Sequence, residues 1–402
     1  MDKYPKNQTE TIEKSIDEFY GFEYEGFEYE EYELDEYEED YEHPFDADKI
    51  RIDQQMLSLK YLMELMSEKQ IILNPGFQRN KVWTERKRKS LLIESLMLRI
   101  PIPAFYFYEN EDSKFIVIDG LQRLSTINDF INNKFRLFGL EYLEKFCGGK
   151  TFSELDVKYQ QRIFRTQLAV NILDARSPSN VVFDIFRRVN TGGVSLKPQE
   201  IRNAISKNST RYLLKTLYKS DEFQSATRNR IKDDRMDGQE FILRFFAFHR
   251  AYNYTTSKLN YTSGNIAVFL DNALIALNEA SDIELAQLEE NFKRAMDISN
   301  ILFKNYTFRK CYITKNNTVY SNMDIINKAL YTSWAVILSN PKYIDFDFSK
   351  LGDKVLKKLA QELTKDTRYD SCLTQGTNST RSVQYSFYKA NSILSEVFEF
   401  DF

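Results

Sequence analysis

The segment Phe115–Thr126, with the sequence FIVIDGLQRLST, has the residue types and spacing of a phosphate site. An apolar strand would end at Asp119 and Gly120, and a helix with polar residues in its first turn would begin at once. That order directs several backbone N–H groups and the positive end of a helix dipole at one point, which favours an anion. Asp119, at the end of the strand, could bind Mg²⁺ or orient a water molecule.

The same segment supplies side chains that could hold a phosphate. Arg123 offers a planar fork of donors, and Ser125 or Thr126 could give a hydroxyl to phosphate or Mg²⁺. A purely structural alternative fits the spacing equally well, with Asp119 capping the helix and Arg123 paired to a nearby carboxylate. The spacing alone does not separate the two.

A second polar segment, Pro75–Trp83, reads PGFQRNKVW and joins a predicted strand to a predicted helix. Arg79 could clamp another phosphate, and Gln78 could contact a base edge or hold a water molecule. A basic run follows directly at the start of the helix and consists of Arg86, Lys87, Arg88 and Lys89. These cations could contact DNA phosphates, or they could form an ordinary solvated helix face.

A third segment contains a tight loop between two predicted helices. Its residues are Asn190, Thr191, Gly192 and Gly193, and the glycines allow positive φ and close approach of the backbone to a ligand. Glu200 and Arg202 then emerge on the following helix. Taken alone, this segment is better explained by a helix end, a turn and a structural Glu–Arg pair.

The charge of the chain is divided unevenly along its 402 residues. Between Asp17 and Glu42 there are 14 acidic residues and no Lys or Arg, while residues 1–16 are balanced. Since the net charge is -4, residues 43–402 carry +10, which points to a polyanionic partner. The acidic leader would be a solubilising tail or an internal competitor for the basic body.

Composition excludes several classes of function. With only two histidines, His43 and His249, an HNH-type nuclease centre or a histidine-based metal site cannot be assembled. His249 lies in an aromatic helical pattern and is expected to be packed rather than catalytic. Three widely spaced cysteines indicate neither a disulfide framework nor a zinc site. No signal peptide or transmembrane stretch is apparent, so we expect a cytoplasmic protein without membrane association.

The elements that would position these segments are mixed in the first half of the chain and helical in the second. The patterns predict a helix over 55–69, a strand at 71–73, a helix capped by Thr84 with Glu85 in its first turn, a hairpin over 104–118, a helix over 121–132 and a strand at 168–173. Later helices are predicted near 237–250, 282–304, 322–338 and 380–396. We therefore expect an α+β fold with a flexible leader (1–45), a small mixed-sheet domain (46–207) and a helical domain (208–402).

Five motifs together resemble the N-terminal domain of GmrSD-type restriction endonucleases. They are FQR-N-KVW, LLIES followed by IPIP, VIDGLQRLSTI, KTFSEL and FRRVNTGGVSLKPQEIRNA, in that order. The resemblance implies a ParB/sulfiredoxin-like fold that binds or hydrolyses a nucleoside triphosphate (NTP), with possible Mg²⁺, and acts on DNA in restriction or anti-phage defence. The DGQQR motif of the family falls on Asp119, Gly120, Gln122 and Arg123, and Gln122 and Gln78 would contact water or sugar.

Two departures from the family pattern keep other functions open. Leu121 stands where the family has the first Gln of DGQQR, and the histidine-rich nuclease domain that often follows is missing. DNA cutting would then need a nuclease partner protein or the ParB-like domain itself. The alternatives are a non-enzymatic DNA-binding or regulatory protein, and metal-dependent DNA nicking that requires Asp119.

Overall fold

The computed structural model describes residues 51–72, 85–110, 112–174, 176–177, 181–183, 185 and 197–399. The chain divides into two compact units. The sheet unit contains the described residues up to Asn208 together with Asp234–Met236, and the helical unit contains Ser209–Asp233 and the described residues from Asp237 onward. The predicted α+β class, with a small mixed sheet followed by a helical region, is confirmed.

The sheet unit is built on five strands in the order β1-β5-β3-β4-β2. The outer β1 runs antiparallel to β5 and the outer β2 runs parallel to β4, while the central β3 is parallel to β5 and antiparallel to β4. This mixed sheet needs both hairpin and crossover connections, and helices supply the crossovers. The strands are β1 (Ile52–Ser58), β2 (Ile71–Ile72), β3 (Phe105–Glu109), β4 (Phe115–Asp119) and β5 (Gln167–Leu173).

Helices of the sheet unit supply the apolar side chains that pack with the sheet into one core. Phe105 and Phe107 of β3 are fully buried in this core, as are Ile127 and Phe130 of the helix after β4. The helices are α1 (Leu59–Ser67), α2 (Arg86–Leu98), α3 (Leu121–Ile131), α4 (Glu144–Cys147), α5 (Val157–Arg165) and α6 (Pro198–Ile205).

One sequence prediction in this unit is wrong. Residues 55–58 were expected to be helical, but they belong to β1, which pairs with β5 from Ile52↔Leu173 to Ser58↔Gln167. The helix begins only at Leu59, because the Ser58 side chain accepts the Tyr61 N–H as its N-cap. Pairing with a distant strand thus decided the conformation of a stretch whose apolar spacing favoured a helix.

The helical unit consists of packed helices with two small hairpins. The predicted helices near 237–250, 282–304 and 380–396 are confirmed, whereas the one predicted over 322–338 begins at Lys328, after Asn327 as its N-cap. The helices are α7 (Asn208–Tyr218), α8 (Asp221–Thr227), α9 (Asp237–Ala251), α10 (Ile266–Glu279), α11 (Asp282–Phe303), α12 (Lys328–Leu338), α13 (Gly352–Lys365), α14 (Thr367–Cys372) and α15 (Thr380–Glu399). The hairpins are β6 (Tyr252–Asn253) with β7 (Lys258–Leu259), and β8 (Cys311–Ile313) with β9 (Val319–Ser321).

Candidate functional site

The turn between β4 and α3 is the centre of the candidate site. β4 ends at Asp119, Gly120 adopts a φ of 98°, and α3 begins at Leu121 as the sequence predicted. A Cβ at Gly120 would lie 2.3 Å from Cδ1 and 2.7 Å from Cε1 of Phe105. Glycine is therefore required here both for its backbone conformation and for the space that the buried ring occupies.

Arg123 holds this turn against the start of the hairpin. Its Nη2 donates to Asp119 Oδ2 at 2.8 Å and to Ala104 O at 3.1 Å, and its Nη1 donates to Pro103 O. The guanidinium also lies over the Phe105 ring, with Cζ 4.4 Å from the centroid. Burial lowers the pKa of Arg123, and the neighbouring Asp119 opposes that effect.

The structural alternative considered for this segment is thus half correct. Arg123 does pair with a carboxylate, and that carboxylate is Asp119 itself, four residues earlier. Asp119 does not cap the helix, because the N-cap residue of α3 is Gly120, which has no side chain that could accept a helix N–H. Both charged groups of the motif therefore lie together at the N-terminus of α3.

Asp119 has the exposure and the open oxygen that a metal ligand needs. Its side chain is 31% exposed, and its Oδ1 has no hydrogen-bond partner among the described residues. No group of three or more His, Cys, Asp or Glu side chains in the described part of the chain could hold a metal ion. Asp119 alone could supply one ligand to Mg²⁺, which is commonly held by one or two carboxylates together with substrate phosphates.

The other residues of α3 that were proposed for the site differ in their exposure to solvent. Gln122 and Ser125 are partly exposed and reach the solvent near the turn. Thr126 is only 3% exposed, among the core side chains of Leu124 and Ile127. Of the two hydroxyls proposed for phosphate or Mg²⁺, that of Ser125 is accessible in this structure and that of Thr126 is not.

Six of the predicted site residues lie outside the described residues. They are Gln78, Arg79, Asn190, Thr191, Gly192 and Gly193. Their assignment to the nucleotide site stays a prediction, and so do both interpretations of the acidic leader at 1–45, which is likewise outside the described residues.

The basic run lies at the N-terminus of α2, as expected. Arg86, Lys87 and Arg88 are exposed and Lys89 is partly buried, while Glu85 precedes the helix without capping it. The first turn of α2 contains these cations and no acidic residue, although the positive end of the helix dipole favours negative charge there. Contact with DNA phosphates stays a prediction for this run.

Two polar residues of α2, Glu94 of the LLIES motif and Ser90 just before it, have a role that the sequence did not predict. Glu94 is 3% exposed, and its carboxylate accepts the backbone N–H groups of Glu141, Tyr142 and Leu143 at 2.7–2.9 Å. Ser90 Oγ accepts the N–H of Phe138 at 2.9 Å. The signal in the sequence was that polar residues occupy positions on the same helix face as the buried apolar residues of α2.

Glu200 forms an ion pair, but its partner is not on the same helix. Arg235 Nη2 donates to Glu200 Oε2 at 2.7 Å, and the Glu200 side chain is only 4% exposed. The same carboxylate accepts the N–H of Lys197 at the start of α6. Arg202 is instead buried beside Gln199, with Nη1 3.4 Å from its Oε1. The expected structural Glu–Arg pair exists, with Arg235 as the cation.

His249 is packed rather than catalytic. Its ring stacks on Phe245 at 5.4 Å, and its Nδ1 lies 2.9 Å from Oγ of the fully buried Ser339. Burial, with a smaller contribution from the charge of Arg294, lowers the pKa of His249 to about 4. A general base near neutral pH needs a pKa close to 7, so this lowered pKa does not favour such a role for His249.

The comparison with known families agrees with the motifs. Residues 62–207 match the model of the GmrSD restriction endonuclease, N-terminal domain. No curated protein and no solved structure matches the chain. None of the helices in the described residues is both long and apolar enough to cross a membrane. Residues 62–207 of this chain are therefore a GmrSD-type N-terminal domain.

Proposed function

We propose that this chain binds a nucleoside triphosphate at the β4–α3 turn and acts on DNA in a restriction or anti-phage system. The match to a restriction endonuclease domain supports the DNA-related role. One observation supports the nucleotide site most strongly, namely that Asp119 and Arg123 meet 2.8 Å apart at the N-terminus of a helix. A carboxylate, a guanidinium and free helix N–H groups together suit a phosphate and its metal.

Each residue of the turn has a distinct proposed task. The N–H groups of the first turn of α3 donate hydrogen bonds to one phosphate oxygen, and Arg123 exchanges its contact with Asp119 for a second oxygen. Without its contact to Arg123, the Asp119 carboxylate would hold Mg²⁺ or orient the attacking water. Bound Mg²⁺ would neutralise charge on the phosphates. Gln122 and Ser125 contact water, sugar or phosphate from the solvent side.

The resemblance adds six further residues to this proposal. Gln78 and Arg79 would contact the nucleotide from the segment before α2, and the loop of Asn190, Thr191, Gly192 and Gly193 would close the pocket. A nuclease partner protein would carry out cutting if the domain itself does not.

Thermal unfolding with ATP, GTP, CTP or UTP and Mg²⁺ tests the nucleotide site. We expect one nucleotide to raise the unfolding midpoint of the wild type, and we expect Arg123→Ala to abolish the shift. Arg123 also stabilises the fold through its contact with Ala104 O, so Gln122→Ala serves as a second variant at the proposed site. Asn128→Ala, near the other end of α3, is the matched control and should keep the shift. If no nucleotide shifts the wild-type midpoint, the proposal fails.

One observation favours a second function, namely DNA binding without turnover. Leu121, which replaces the first Gln of DGQQR, packs against the hydrophobic core and offers no polar group to the site. This alternative predicts salt-sensitive DNA binding without phosphate release. A phosphate-release assay with each nucleotide, with and without DNA, separates the two. Plasmid relaxation that is lost in Asp119→Asn would instead indicate metal-dependent nicking by the domain.

A further inference from the structure

The segment 137–147 of the sheet unit directs its aromatic rings outward. Leu137, Leu140 and Leu143 are buried, whereas Phe138 is 58% exposed and Tyr142 is 71% exposed. Phe146, in the same segment, is 57% exposed. These large rings are exposed to water, whereas the leucines of the same segment are buried. Several exposed rings in one short segment are typical of a binding surface.

This aromatic segment is held rigidly on α2. Glu94 accepts the N–H groups of residues 141, 142 and 143, and Ser90 accepts that of Phe138. The N–H of Leu140 donates to Glu144 Oε2 at 2.7 Å. The backbone that carries Phe138 and Tyr142 is therefore fixed by side chains, so little conformational entropy remains to be lost when a ligand binds.

The basic run lies close to the backbone that carries these rings. A Cβ built on Gly139 would be 3.4 Å from Cγ and 3.8 Å from Cε of Lys87, so the lysine stem lies against the backbone at Gly139, which follows Phe138 in the chain. Ser90, which anchors Phe138, bonds to Arg86 O one turn earlier. Among the described residues, the four consecutive cations at 86–89 outnumber the three exposed carboxylates nearby in the sequence and loop, which are Glu85, Glu141 and Glu144. The surface is aromatic and net basic.

We propose that this surface, formed by Phe138, Tyr142 and the basic run at 86–89, binds single-stranded or locally unpaired nucleic acid. Rings stack on exposed bases while cations contact the adjoining phosphates, and this combination is characteristic of single-strand binding. A closed duplex offers only base edges, on which an aromatic ring cannot stack. This inference rests on the proposed function and specifies the form of the DNA that the domain contacts.

Binding of a fluorescein-labelled oligothymidylate of about 20 nucleotides, compared with a duplex of equal length, tests the proposal by fluorescence anisotropy without nucleotide or Mg²⁺. The wild type should bind the single strand more tightly. Phe138→Ala and Tyr142→Ala should each weaken binding by about 5- to 150-fold, which corresponds to the stacking of one base. Tyr142→Phe should retain most of the affinity, because it keeps the ring.

Two controls separate stacking from charge and from general surface effects. Tyr212→Ala removes a ring that is 73% exposed in the helical unit and should leave binding unchanged. Lys87→Gln should lower the salt dependence of binding, whereas the aromatic variants should keep the wild-type slope. All these residues are exposed, and equal thermal midpoints would show that the variants are folded.

Three outcomes would overturn the proposal. The first is equal affinity for single strand and duplex with no effect of Phe138→Ala or Tyr142→Ala. The second is self-association of the wild type that these variants abolish while oligothymidylate affinity stays the same, which would assign the rings to a protein contact. The third is no nucleic-acid binding at all, which would also remove the DNA part of the proposed function. Nucleotide-induced thermal shifts of the same variants report on the β4–α3 turn independently.

Discussion

Arg123 lies over the buried ring of Phe105, with its guanidinium carbon 4.4 Å from the ring centroid. The same ring fills the space beside Gly120, so the glycine and the arginine of the motif pack on one core side chain. A desolvated cation–π contact stabilises by up to about 2 kcal/mol. The residues proposed to bind phosphate therefore also hold α3 and the β3–β4 hairpin in place, and variants at these positions must be tested for both roles.

Gly120→Ala is expected to lower stability sharply. The new Cβ would lie 2.3 Å from a Phe105 atom, and Phe105 is fully buried, so the ring cannot move aside without disturbing the core. Backbone strain at φ 98° adds to this overlap. We expect a loss of at least about 2 kcal/mol in the free energy of unfolding, measured by denaturant titration.

Gly149→Ala is the matched control for this prediction. Gly149 also has positive φ, at 74°, but a Cβ there would have no atom within 4 Å. Its cost should be limited to backbone strain of about 1 kcal/mol. Equal losses for the two variants would show that contact with Phe105 is not what requires glycine at position 120.

Local patterns predicted the strand, turn and helix at the candidate site, because these elements are adjacent in the sequence. The apolar run of β4, the polar turn and the amphipathic α3 lie within 17 residues, from Phe115 to Ile131, and all three formed as expected. The side-chain pairing within the turn could not be settled from spacing, since Arg123 would suit phosphate or a carboxylate equally. Only the structure shows that its carboxylate is Asp119.

Features that depend on distant residues were missed. Residues 55–58 have helical apolar spacing, yet their pairing with β5, more than 100 residues later, makes them a strand. The partner of Glu200 is 35 residues away, at Arg235. Glu94 contacts a loop 47 to 49 residues away. None of these contacts has a period or spacing within one element that could reveal it.

Glu94→Ala should destabilise the sheet unit by about 3 kcal/mol, because it leaves three buried or part-buried N–H groups without their acceptor. Glu94→Gln keeps the shape but replaces one acceptor oxygen by a donor, so we expect about half that loss. Hydrogen exchange should accelerate at residues 141–143 in both variants. Glu141→Ala, at an exposed position of the same loop, should stay within about 0.5 kcal/mol of the wild type. Unchanged exchange in Glu94→Gln would contradict this role.

Arg235→Gln should cost about 3 kcal/mol, because it leaves the buried carboxylate of Glu200 without its cation. The N–H of Lys197 remains as a donor to that carboxylate and limits the loss. Adding Glu200→Gln to Arg235→Gln removes the unpaired charge and should recover part of the stability. A double variant less stable than Arg235→Gln alone would show that the charge on Glu200 is satisfied by other groups.

The His249 ring is neutral in the folded protein over most of the accessible pH range. It stacks on Phe245, and its Nδ1 is within hydrogen-bonding distance of Tyr254 OH and Ser339 Oγ. Its pKa falls from 6.5 to about 4, mainly through burial and then through the charge of Arg294. Protonation would place a second positive charge beside that arginine.

Stability should therefore fall as the pH is lowered from 6.5 to about 4, because the unfolded chain takes up a proton on His249 in this window and the folded chain does not. The slope is about 1.4 kcal/mol per pH unit and the total about 3 kcal/mol. Carboxylates also titrate near the lower limit, so the informative quantity is the difference between wild type and His249→Asn, which retains a polar atom near the position of Nδ1. Denaturant midpoints of the helical unit measured at several pH values should show a shallower decline for the variant, since only the wild type carries the depressed imidazole pKa. Parallel declines for the two proteins between pH 6.5 and 5, where few carboxylates titrate, would mean that His249 becomes protonated without loss of its packing.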